Sequence, residues 1–151
     1  MKSTLLHEHQ GLRTFAVVLA TGDAVMSSIA SFAAEQHLAA TQFTAIGALS
    51  RAVVAFFEWK SRRYRNIPIA EQVEVLSLLG DVTLEQGKPK VHAHIVLGKS
   101  DGSAHGGHLV EAVVRPTMEI VLIETPTHLQ RSFDPESGLA LIDAGGARRY
   151  P

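Results

Sequence analysis

Residues 88–114 read KPKVHAHIVLGKSDGSAHGGHLVEAVV, and their pattern decides the fold class. The run 91–97 is short, rich in Val, Ile and Leu, and preceded by the turn-forming Gly87-Lys88-Pro89, which predicts a β-strand. Asp101-Gly102 is a tight-turn dipeptide that separates this strand from the next, read at 109–114. Between them, Gly106-Gly107 permits backbone conformations closed to other residues and lets a second chain or a ligand approach closely. A bulge and a backbone cradle beside the histidines are both consistent with that pair.

Outward from this hairpin, the same criteria predict strands at 12–20, 41–46, 51–59, 64–69, 73–79 and 118–124. The strand at 73–79 is nearly all apolar and is expected to be covered on both faces. A helix is predicted from residue 24 to about 38, with Asp23 as its N-cap. Val25, Ile29, Phe32, Ala33 and Gln36 fall on or near one stripe of that helix. One helix among about eight strands reads as α+β, a mainly antiparallel β-sheet with one principal α-helix. A single domain is expected over 10–143, with 1–9 and 144–151 as flexible termini.

Composition narrows the function classes. The 151 residues are 46% hydrophobic and 19% charged, as in an ordinary globule with a core of its own. The formal charge of −1 argues against a broad phosphate-binding face. Lys60, Arg62, Arg63 and Arg65 are a local exception, read as a solvated hairpin tip or as a contact for an anionic partner. The absence of cysteine suits a reducing compartment, and no apolar run approaches the roughly 20 residues that span a bilayer, so a cytoplasmic protein without membrane contact is expected. No Gly-x-Ser-x-Gly elbow and no phosphate-binding loop is present.

The histidines are the chemical signal. His92 and His94 are two residues apart on a predicted strand, so their side chains leave the same face. His108 follows the glycine pair and stands on the neighbouring strand, where it can supply a third imidazole. Three histidines suit a divalent late first-row metal, zinc foremost, and leave a coordination position open. The competing reading is two polar side chains on the wet face of a half-buried strand. His105 sits at the turn, where solvent is its expected neighbour. His7 and His9 repeat the spacing in a polar terminus and are read as disordered. Glu74 lies among apolar neighbours; if buried it needs a partner, and it is the candidate acceptor to orient a histidine. Gly106, Gly107, His105 and Glu74 are thus expected around the site.

Five stretches together resemble the plants-and-prokaryotes conserved (PPC) domain family: FTAIGALSRAVVAFF (43–57), VEVLSLLGDV (73–82), KPKVHAHIVLG (88–98), HGGHLVEAVV (105–114) and TMEIVLIE (117–124). The resemblance implies an antiparallel sheet with one helix and a homotrimer. In plants the domain follows AT-hook segments; no Arg-Gly-Arg-Pro core occurs here. Glu71-Gln72-Val73 stands where the plant domain has Gly-Arg-Phe. The pattern resembles the prokaryotic branch, in which His92, His94 and His108 would correspond to a metal site. Two functions follow as expectations. One is a homotrimeric binding or regulatory module with a metal site, with any DNA contact weak, sequence-tolerant and salt-sensitive. The other is a small metal-dependent enzyme acting on a small molecule.

Overall fold

The computed structural model describes residues 1–149, with side chains through residue 145. In chain order the elements are β1 (Lys2–His9), β2 (Leu12–Ala20), α1 (Val25–Glu35), β3 (Ala40–Glu58), β4 (Arg63–Ile69), β5 (Val73–Glu85), β6 (Lys88–Gly98), β7 (Ala104–Glu124), β8 (Thr127–Asp134) and β9 (Leu139–Arg149). Among the described residues the strand pairs are antiparallel, apart from a single parallel contact between Leu84 and Gln130. With one 11-residue helix, the fold is more nearly all-β than the α+β expectation, although the mainly antiparallel sheet and single helix agree with it.

The difference comes from strands longer than their sequence signals. β3 runs through Gly47 and β7 through Arg115-Pro116, each absorbing register shifts instead of ending. β1 replaces the expected loose N-terminus. Gln10 and Gly11 both have positive φ, 49° and 81°, which closes a two-residue hairpin between β1 and β2. All eight β1 residues are exposed, so no hydrophobic alternation announces the strand. β8 and β9 likewise replace irregular tail; of the expected flexible stretch 144–151, residues 150–151 lie outside the described residues.

Pairing closes a circuit through β3, β5, β6 and β7, because β6 bonds β5 on one side and the start of β7 on the other. α1 packs against β6 and β7 and buries Val25, Ile29, Phe32 and Ala33. Phe32 meets Phe15 edge-to-face at 5.3 Å between centroids, a favoured aromatic geometry. The helix starts one residue later than expected, and Asp23 is not its cap. Ala24 holds that position without a side-chain bond, while the Asp23 carboxylate accepts from the Ala20 amide at 2.9 Å and pairs with the N-terminal ammonium at 3.0 Å.

β5 also departs from expectation. A bulge between Val75 and Ser77 shifts its parity, so Val73, Val75, Leu78 and Val82 face the core. Leu76 and Leu79 face outward, 57% and 59% exposed, so the chain itself covers only one face of the strand. Among the described residues no helix is long and apolar enough to cross a membrane.

Candidate metal centre

The β5–β6 hairpin builds the site. Its turn is Gln86-Gly87, both with positive φ, and it fixes the register so that Asp81 opposes His92 and Leu79 opposes His94. Ala93, Ile95 and Leu97 point into the core, which turns His92 and His94 to the other face of β6. Across the next ladder, His94 pairs directly with His108 of β7. The three rings converge with centroids 5.1 to 5.5 Å apart. One ligand atom from each lies within 4.8 Å of the others, so the group could hold one ion.

The glycine pair does its work through space. A Cβ at Gly107 would meet the Ala55 carbonyl oxygen of β3 at 2.7 Å, and one at Gly106 the Ile95 carbonyl oxygen of β6 at 2.9 Å. Bare backbone therefore lets β7 lie close between its neighbours and brings His108 against His94. His105 pairs with Leu97 and is exposed. Glu74 is exposed opposite Ala48 and Gly98, four positions along β6 from His94 and away from the triad.

Sequence reasoning missed the carboxylate that does face the site. His92 Nδ1 stands 3.4 Å from Asp81 Oδ2. The other Asp81 oxygen accepts from Arg131 of β8 at 2.6 Å, and Arg131 also donates to Thr83 Oγ1 at 2.7 Å and the Ala140 carbonyl at 3.0 Å. Burial pushes the Asp81 carboxyl up, but the contacts with His92 and Arg131 outweigh it and hold the group below the usual carboxylate range. The two-residue turn at Gln86-Gly87 was the available signal, since counting register from it puts Asp81 across from His92.

Tyr64 of β4 stacks on His108, centroids 4.5 Å apart and planes 28° apart. Burial, followed by the neighbouring His92, His94 and Lys90, pushes the His108 imidazole down to about 4. Burial and then His92 lower His94 as well, against the pull of Asp81. Both shifts favour the neutral ring that a metal requires. The donor set also fits a metal in another respect: His108 Nδ1 is buried with no hydrogen-bond partner, a costly state that a bound ion would relieve.

These shifts set a pH dependence for the metal-free chain. The unfolded His108 takes up its proton near pH 6.5, whereas the folded one does so only near 4. Between those values the unfolded state binds more protons, so folding stability declines as pH falls through that window and is unaffected by this group above it. Urea midpoints of chelator-treated protein at pH 7.5 and 5 are expected to show the loss, and His108→Asn to reduce it. An unchanged slope in the variant contradicts the assignment.

The basic residues Lys60, Arg62, Arg63 and Arg65 lie at or beside the β3–β4 hairpin tip and are exposed. Arg65 is committed to Glu58 at 2.8 Å and Arg62 reaches the Pro135 carbonyl at 3.5 Å. A cavity of about 410 Å³ opens beside the histidines, lined by β4, β6, β7, β8 and β9 together with Met26 of α1 and Glu85 of β5.

Comparison with known proteins places this architecture. Residues 6–126 match the Plants and Prokaryotes Conserved (PCC) domain. The chain belongs to that family. A PCC-family crystal structure from Pyrococcus horikoshii is 32% identical, covers 87% of this chain and 91% of its own, and superposes with a TM-score of 0.81. A structure described as a metal-containing protein, from Archaeoglobus fulgidus, is also 32% identical, covers 94% and 99%, and gives 0.82. A candidate DNA-binding protein from Ralstonia eutropha is 27% identical over 85% and 90%, with 0.80. Among curated proteins, the bifunctional protein GlmU of a Synechococcus strain is 28% identical over 130 residues. The chain spans a fifth of that protein's length, so the likeness concerns one segment of it.

Proposed function

We propose that this PCC domain is a metal-binding module in which His92, His94 and His108 hold one divalent ion, zinc by the chemistry of its donors. The observation that carries this reading is the convergence of three imidazoles within 4.8 Å. The metal-containing relative from Archaeoglobus fulgidus supports it. Three neutral histidines leave a fourth position open, where a bound ion can polarise a ligand or activate water. His92 is oriented through Nδ1 by Asp81, Asp81 is fixed by Arg131, and Tyr64 holds the plane of His108. Calorimetric titration of zinc into the untagged chain tests the reading: one site per chain is expected, and no heat of binding would overturn it.

Asp81 is a positioning residue in this scheme. Asp81→Asn is expected to weaken zinc binding by roughly 10–100-fold, the usual cost of losing a carboxylate behind a ligating histidine. The loss should appear in the binding isotherm while the circular dichroism spectrum is kept.

The module is further proposed to be a homotrimer. Ile46, Leu76, Leu79, Val121 and Val18 line one outward groove and are 42–60% exposed, an apolar surface that the chain leaves uncovered. Light scattering should give about three times 16.3 kDa, and a clean monomer would refute the assembly. A small metal-dependent enzyme is the second reading, favoured by the cavity beside the open metal position. DNA contact, suggested by the Ralstonia relative, would run through phosphates at the β3–β4 tip and be salt-sensitive.

A further inference from the structure

The cavity beside the histidines has its own chemistry. Much of its wall is apolar, from Val91, Leu109 and Val110 on the sheet and Leu139 and Leu141 on β9. Its charged side chains are paired off. Arg131 is only 8% exposed and is committed to Asp81, Thr83 and the Ala140 carbonyl. Lys90 and Glu85 face each other at 3.5 Å. These two pairs leave the cavity close to neutral.

Imidazoles that ligate an ion do so in the neutral form and do not change that balance. A divalent ion on them would keep its full positive charge toward the cavity, because no carboxylate is among its ligands. The ligand that this arrangement favours is therefore an anion. The apolar walls restrict it to an anion with a hydrocarbon body. A phosphate is disfavoured, since it would bring more charge and hydration into a space with no uncommitted guanidinium.

We propose that this cavity binds a small aliphatic carboxylate, with the carboxylate at the histidine end and the hydrocarbon chain along Val110, Leu139 and Leu141. The proposal rests on the metal reading above and deepens it by naming the ligand class. Leu141 is 44% exposed and outside the core cluster, so it can be enlarged without disturbing the fold.

The test uses the full chain loaded with cobalt(II), whose visible absorption reports changes at the ion. Acetate, butyrate and inorganic phosphate are titrated in turn. Butyrate is expected to shift the bands and to bind about fifteenfold more tightly than acetate, because each of its two extra methylenes contributes a factor of about four when buried. Leu141→Trp should fill the cavity and weaken butyrate at least tenfold, with cobalt affinity held within about twofold. Cobalt that binds without responding to butyrate overturns the carboxylate proposal alone, as does phosphate binding more tightly than butyrate, or Leu141→Trp leaving butyrate unaffected. A chain that takes up no cobalt overturns the metal reading and this proposal together.

Discussion

His108→Ala is expected to weaken zinc binding by more than about 100-fold. The substitution removes one of three imidazoles outright, so its effect should exceed the 10–100-fold typical of losing a residue that only orients a ligand. It also removes the stack with Tyr64 that fixes the ring. The side chain faces away from the core, which is built from Leu109, Val114, Met118 and their neighbours, so the fold should survive. His94→Ala is expected to behave alike, since His94 opposes His108 across the β6–β7 ladder. His7→Ala and His9→Ala should bind as wild type, because both residues lie on β1, outside the triad. Calorimetry on the untagged variants reads this directly. Equal affinity in wild type and His108→Ala would reduce the triad to polar surface.

Glu124→Ala is expected to cost about 3 kcal/mol or more of folding stability. Glu124 ends β7 and is 1% exposed. Its carboxylate accepts from the Ala39 amide at 3.0 Å, the Ala40 amide at 3.2 Å and the Thr41 hydroxyl, joining the start of β3 to the end of β7. Removing it orphans three donors at once, and each unsatisfied buried donor costs about 1–3 kcal/mol. The urea midpoint should fall accordingly. A loss under about 1 kcal/mol would mean that water replaces the carboxylate and that the contact is not structural. The sequence offers no hint of this role, because Glu124 looks like the polar end of an apolar strand.

What could be read from the sequence was local. The His-x-His spacing, the glycine pair and the turn at Asp101-Gly102 define short-range geometry, and the three histidines do converge. The helical stripe of Val25, Ile29, Phe32 and Ala33 is buried as its period implies. What could not be read depends on partners distant in sequence. Asp81 meets Arg131 across 50 residues, and no pattern in either segment points to the other. The bulge at Leu76 flips the exposure of β5 by one residue, a change invisible to alternation counting. β1 carries no apolar face and so lacks the signal that identified the other strands. Asp23 shows the opposite failure: a good capping residue in the expected place bonds to Ala20 and the N-terminus instead.

X-ray absorption at the zinc edge of the untagged, zinc-loaded chain tests the metal centre most directly, because it identifies the donors and not merely the stoichiometry. The expected result is three imidazole nitrogens at about 2.0–2.1 Å and one oxygen at a similar distance. In His108→Ala the imidazole count should fall to two. A shell made of oxygens, or one with a single imidazole, would contradict a zinc site built from His92, His94 and His108.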